Sequence, residues 1–166
     1  MEAAEILPML ADLPAGSSPT PLEDDSGDST SESCLDEAFA TNGLDEADAT
    51  SASSSSSQSE FGPFLTVGAS VDVDQASKFF EALPEGFAAR DDDGTTTRVR
   101  PVPFGKYGDD TFAVRLDLAS YFFPASALLA FAREDDAVLY AIYVVIGGGV
   151  DAELVGDVFE IMLDRL

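Results

Sequence analysis

The sequence predicts an α+β fold: an antiparallel β-sheet of about five strands with helices packed on one face, preceded by a partly disordered acidic segment. Three observations carry this expectation. Residues 64–73 and 111–118 alternate apolar and polar side chains, as half-buried strands do. Residues 76–83 and 154–166 repeat their apolar side chains at helical spacing. Short turns separate the later strand candidates, which is how an antiparallel meander is connected.

Residues 1–60 read as an acidic, Ser-rich leader and linker, partly helical or disordered. A short helix over residues 2–10 would put Ile6, Leu7 and Leu10 on one face, with Pro8 and Pro14 limiting its length. Residues 16–31 are mostly Ser, Pro, Asp, Thr and Gly, too polar to offset the entropy of ordering. Another helical turn or two can form around Leu35 and Phe39. Residues 50–59 are mostly serine and read as a flexible linker.

The α+β domain is expected over residues 61–166. Its first strand, 64–73, places Leu65, Val67, Ala69, Val71 and Val73 on one side. Asp72 offers an N-cap, with Gln75 three residues on, to a helix carrying Ala76, Phe79, Phe80 and Leu83. Pro84 and Gly86 should end that helix, and residues 86–90 could make a short strand. Asp91-Asp92-Asp93-Gly94 is a turn. Residues 95–104 are β-prone, and Pro101 and Pro103 push their later part to a sheet edge. Residues 105–110 form a loop. Residues 111–118 turn Phe112, Val114, Leu116 and Leu118 inward, and 125–133 follow as the next strand. After a tight turn at Glu134-Asp135-Asp136, residues 137–146 are continuously apolar, as in a central strand covered on both faces. Gly147-Gly148-Gly149 break it. Asp151 caps a last helix whose apolar stripe is Leu154, Val155, Val158, Phe159, Met162 and Leu166, with Arg165 at the end that favours a cation.

Charge limits what the protein can engage. The formal net charge is -24. The first 60 residues hold fourteen Asp or Glu and no basic residue; the first basic side chain is Lys78. Nucleic acid, acidic membrane surfaces and acidic substrates are repelled by such a chain. The sequence contains no histidine, which excludes Ser-His-Asp and Cys-His catalysis and His-ligated metals. The single cysteine, Cys34, sits among carboxylates that disfavour its thiolate. No enzyme activity and no cofactor are therefore expected. No basic n-region precedes an apolar segment as in a secretory signal, and no stretch approaches the roughly 20 apolar residues of a membrane span. Direct membrane insertion of this chain is not expected.

Several residues carry a family resemblance. Asp93-Gly94-Thr95-Thr96-Thr97-Arg98-Val99 leads to Gly108-Asp109-Asp110-Thr111-Phe112-Ala113-Val114-Arg115-Leu116, followed by a strand, a charged turn, an apolar strand and a closing helix. Ala11-Asp12-Leu13-Pro14-Ala15-Gly16 and the Gly62-Pro63-Phe64 strand start add to it. This pattern resembles the actinobacterial extracytoplasmic lipoproteins related to the sensor domain of the PknH kinase. The resemblance covers most of residues 61–166 and, loosely, the first forty. It implies an α+β domain outside the membrane that binds or senses a ligand, and no catalytic residues to carry over. Family members are often tied by cysteine pairs and begin behind a lipobox. Cys34 has no partner in this chain and no lipobox is present, so disulfides and lipidation are not carried over.

Three motifs read more simply than their functional alternatives. Asp91-Asp92-Asp93-Gly94 fails the calcium-loop pattern, since aligning its glycine puts Ala89 and Arg100 at ligand positions. Asp24-Asp25-Ser26-Gly27-Asp28 supports at most weak cation binding. Gly147-Gly148-Gly149 lacks the Lys-Ser/Thr of a phosphate loop, and Asp151 would repel phosphate. The aromatic residues Tyr121, Phe123, Phe131, Tyr140 and Tyr143, with Phe122 among them, are the candidate ligand-binding set; they could line an apolar pocket or fill the core. Tyr140 and Tyr143 differ in parity, so they point to opposite faces of their strand.

The expected function is a non-enzymatic, extracytoplasmic, ligand-binding or sensor-type domain, in its mature form, for a small apolar or cell-envelope-derived ligand. The alternatives are an acidic interaction protein that mimics nucleic acid and a halophilic cytosolic protein.

Overall fold

The computed structural model describes residues 2–20, 50–60, 62–73, 76–88, 97–118 and 124–166. The expected turns or helices at 21–49, with Cys34 and Asp24–Asp28, lie outside the described residues, as do Asp91–Gly94, Tyr121 and Phe123. Within the described residues one antiparallel sheet of seven strands organises the molecule. Its strands are β1 (Ser18–Thr20), β2 (Thr50–Ser57), β3 (Phe64–Val71), β4 (Thr97–Pro101), β5 (Asp110–Leu118), β6 (Ala125–Glu134) and β7 (Ala137–Ile146), in the order β1-β2-β3-β7-β6-β5-β4. The helices are α1 (Ala3–Ile6), α2 (Ala76–Ala88) and α3 (Ala152–Leu163), with a 3-10 turn at Leu10–Asp12. The fold is α+β, as the sequence predicts.

The sheet has seven strands instead of about five because β1 and β2 extend it beyond β3. Thr50–Ser57, expected as flexible linker, pairs with β3 along its full length, from Thr50 opposite Val71 to Ser57 opposite Phe64. Serine is a weak strand former, which is why composition reads this stretch as linker. Ladder hydrogen bonds, however, come from the backbone, and β3 would otherwise be an open edge. The side chains also contribute. Ser56 is buried, and the Ser55 and Thr66 hydroxyls pair at 2.8 Å. Pro19 fits β1 because that strand lies at the sheet edge, where a missing N–H is tolerated.

The helices do not pack on one face; they lie on both. The continuous apolar run of β7 explains why. Its odd positions, Ala137, Leu139, Ala141 and Tyr143, join α1 and α3 in one core with Leu65, Val67, Leu128, Val155, Phe159 and Met162. Its even positions Val138, Tyr140, Ile142 and Val144 face α2, whose Ala76, Phe79, Phe80 and Leu83 cover Val114, Leu129 and Phe131. A central strand apolar on both sides needs cover on both sides.

Helix α2 departs from its predicted ends. Asp72 adopts φ 58, a left-handed conformation unlike the extended one of an N-cap, and the helix starts at Ala76. It also runs through Pro84 and Gly86 to Ala88, so no strand forms at 86–88. Proline removes one helical hydrogen bond. Beyond it, Phe87 packs on Phe112 and Phe131, with ring centroids 5.9 and 6.2 Å away, and this burial offsets the loss. Helix α3 behaves as predicted: the Asp151 carboxylate accepts from the Leu154 N–H at 3.0 Å, and Val155, Val158, Phe159 and Met162 are buried.

Candidate functional site

The face of the sheet that carries α1 and α3 also carries an open cleft. Three segments build it. Strand β7 supplies Tyr143, whose cross-strand partners are Leu65 on β3 and Leu128 on β6. The glycine-rich connection after β7 swings the chain back over the sheet; Gly147, at φ 72, donates its N–H to the Pro124 carbonyl at 2.8 Å. Helix α3 then starts above Tyr143 and contributes Asp151, Glu153, Leu154 and Asp157. The third wall is the N-terminal segment, through Pro14, beside Gln58 at the end of β2.

Arg165 holds that N-terminal wall in place. Its guanidinium donates to the Leu7 carbonyl and to Asp12 Oδ2, the latter at 2.7 Å. The Met9 N–H donates to the same carboxylate oxygen at 2.7 Å. The hydrogen bond from Arg165, then that from Met9, holds the Asp12 carboxyl below its ordinary pKa. On the far side of α3, Gly156 lets the loop before β5 approach. A Cβ there would stand 2.1 Å from the Tyr107 hydroxyl oxygen. Tyr107 stacks against Phe104 and Phe159, at 5.2 and 5.7 Å. The helix that forms the cleft is thus clamped along its length.

The cleft has a volume of about 350 Å³ and is lined by Pro14, Gln58, Tyr143, Asp151, Glu153, Leu154 and Asp157. A smaller recess, with space for about one water, shares Pro14, Gln58, Tyr143 and Leu154 and reaches Ser56 and Leu65. Tyr143 forms the floor and is 6% exposed. Burial, and then the Asp151 charge, raise its phenol pKa, so it stays protonated and can both donate and accept a hydrogen bond. Three carboxylates and no basic side chain line the cleft, so its field favours a cation. Among the described residues, no cluster of three or more carboxylates or thiols is placed to hold a metal ion.

The predicted aromatic set is not assembled in one place. Phe131 is 1% exposed and fills the opposite core, edge-on to Phe79 at 6.2 Å. Tyr140 lies on that same opposite face with its ring across Gly68, where a Cβ would come within 2.2 Å of the ring. Tyr143 alone of the described members lines the cleft, on the face its parity assigns. Sequence reasoning missed Pro14, Gln58, Asp151, Glu153, Leu154 and Asp157 as cleft residues. Asp151 and Leu154 were legible as helix cap and helix stripe. Nothing local signals that Pro14 and Gln58 meet them.

The fold and site define an α+β domain with a seven-stranded antiparallel sheet between helices and a cleft on one helical face. The chain is similar to the crystal structure of the extracellular domain of PknH from Mycobacterium tuberculosis, with a TM-score of 0.64 at 12% identity, covering 98% of this chain and 93% of that one. At that identity the likeness concerns the fold. No family model matches the chain, and no curated protein matches it. Among the described residues no helix is long and apolar enough to cross a membrane.

Proposed function

We propose that this chain is a non-enzymatic, extracytoplasmic sensor-type domain whose small ligand seats over Tyr143 in the cleft at the start of α3. The observation that supports this most is the cleft itself. Its volume of about 350 Å³ lies in the range of small-molecule sites, and one buried aromatic floor is ringed by a few convergent polar groups. Its fold likeness to an extracellular domain favours the same setting. The lining selects a ligand with two parts. Pro14, Leu154 and the Tyr143 ring offer an apolar surface, while Asp151, Glu153 and Asp157 attract a positive charge. A cell-envelope-derived amine, such as an amino sugar or a diamino acid, has this character, and its ammonium can also rest against the tyrosine ring. Ligand entry would press on α3 and on the N-terminal segment, which Arg165 couples to each other, and this supplies a route from binding to a change in the chain's N-terminal part.

NMR titration of the full chain with a panel of amino sugars and diamino acids tests the reading. Saturable shifts at Tyr143, Leu154 and Gln58 that weaken in Asp157→Asn support it. Shifts confined to exposed carboxylates, growing without saturation, would sink it.

A further inference from the structure

The same sheet face carries a second charged feature, of opposite sign, at its other edge. Val99, Val114 and Leu116 face α2, so alternation places Arg98, Arg100, Arg115 and Asp117 on the face that carries α3. Arg98 is the cross-strand partner of Asp117, and Arg100 is the partner of Arg115. Two like charges directly opposite each other destabilise a sheet pair. Here they are held apart by one carboxylate: Asp117 Oδ1 accepts from Arg115 Nε at 2.8 Å, and Asp117 Oδ2 accepts from Arg100 Nη2 at 3.0 Å. The Ser126 hydroxyl donates to Asp117 Oδ1 at 3.2 Å and accepts from Arg115 Nη2 at 3.1 Å. These bonds orient the Arg115 guanidinium. The Arg115 hydrogen bond, ahead of the others, keeps the Asp117 carboxyl below its ordinary pKa.

Among the described residues, Arg100 and Arg115 pair with Asp117 and Arg98 stands opposite it in the strand register, three guanidinium groups to one carboxylate in a protein of net charge -24. Arg98 and Arg100 are exposed on the edge strand β4, with most of their N–H donors turned to solvent. Few of the chain's eight basic residues are available, yet three gather on five consecutive cross-strand positions. A structural role needs only one of them to neutralise Asp117.

We propose that Arg98, Arg100 and Arg115 form a binding site for a phosphate monoester. A dianion matches the excess of two charges, and its tetrahedral oxygens accept from several planar guanidinium forks at once. A carboxylate would supply half the charge and would compete with Asp117 on equal terms. The site lies on β4 and β5, two strands from Tyr143 on β7, shares no residue with the cleft, and does not rest on the ligand proposed there. An extended anionic surface would bring its charges within a Debye length, about 8–10 Å, of the chain's many carboxylates and be repelled, so a soluble phosphate ester is the expected source.

The test is a titration of the full chain at low ionic strength with glycerol phosphate, read by 15N-detected arginine side-chain signals, beside co-sedimentation with phosphatidylcholine vesicles containing phosphatidic acid. Saturable shifts at Arg98, Arg100 and Arg115, with affinity falling about tenfold in Arg98→Gln, are expected. Among the described residues Arg98 has no side-chain hydrogen bond or ion pair, and it is exposed, so this variant is expected to keep the wild-type melting temperature. Arg98→Lys should recover only part of the affinity, because it restores charge without the fork. Binding to the vesicles with the same Arg98 dependence supports the site with a lipid headgroup as its source. The same shifts when sodium chloride of equal ionic strength replaces glycerol phosphate, or binding that Arg98→Gln and Arg100→Gln leave unchanged, overturns the proposal.

Discussion

One cross-strand row passes through two chemically opposite regions. On the face beneath α3 it runs from Leu65 on β3 through Tyr143 on β7 and Leu128 on β6 to Arg115 on β5 and Arg100 on β4. At the Tyr143 end the surroundings are acidic and covered by a helix. At the Arg100 end they are basic and open. Strand spacing puts Tyr143 and Arg115 only about 10 Å apart, with Leu128, 1% exposed, between them. The difference teaches that net charge describes the chain at long range only. Within a Debye length the arrangement of a few side chains decides which ions are attracted, and a strongly acidic protein can present a cationic edge.

The two regions also depend on the fold differently, and variants can separate them. The largest effect is expected from Phe159→Ala. Phe159, on the buried face of α3, is fully buried and packs on Tyr107 and Phe104. Its truncation should cost about 3–5 kcal/mol in guanidinium unfolding. If the variant stays folded, it should lose shifts at Tyr143 on adding an amine before it loses those at Arg98 on adding phosphate. Equal losses at both ends would show that the two regions are one cooperative unit.

Asp117→Asn should have the next largest effect. It leaves Arg100 and Arg115 opposed without the carboxylate between them, costing about 1 kcal/mol at low salt and less at high salt. The same change should tighten glycerol phosphate binding, because a competing anion is removed. A variant as stable as wild type at low salt would mean that the arginines already repel too little to need Asp117.

The N-terminal wall of the cleft carries a pH signature. The folded-state pKa of Asp12 is depressed, so its contribution to stability is complete above the ordinary value of 3.8 and is lost as pH falls below it, through the folded value. Acid titration followed by hydrogen exchange should show residues 3–14 loosening in that window. Arg165→Met should remove the window and expose the same residues at neutral pH. Tyr143 acts at the other extreme. Its raised pKa preserves stability below pH 10, and stability falls as pH rises beyond 10. The smallest effect is expected from Glu153→Gln, an exposed change that should weaken amine binding about two- to threefold through charge alone and leave unfolding unaltered.

Much of this fold was legible in the sequence because local physics and tertiary packing agree. The alternation of residues 111–118, the unbroken apolar run at 137–146, the parity of Tyr140 and Tyr143 and the Asp151 cap all describe what the structure holds. The failures share a cause. Ser51 to Ser57 form a strand through backbone pairing with β3, which composition does not report. Pro84 is overridden by the burial of Phe87, a contact with Phe112 and Phe131 far along the chain. Helices on both faces follow from β7 being apolar on both sides, an implication that outweighs the reading of the meander as one-sided. The site was less legible than the fold. Tyr143 was among the expected residues, but Pro14 and Gln58 reach it only through tertiary closure by Arg165 and the β2–β3 pairing. The alternation of residues 111–118 turns Arg115 and Asp117 away from the inward set, but their meeting with Arg100 needed the register of β4 against β5.

The most direct test of two opposed sites on one face is a paired NMR titration of the wild-type chain with a diamine and with glycerol phosphate. Two disjoint sets of saturable shifts are expected: Tyr143, Leu154 and Gln58 for the diamine, and Arg98, Arg100 and Arg115 for the phosphate. Shifts from both probes on a common set of residues, or diamine shifts that leave Tyr143 untouched, would contradict the account.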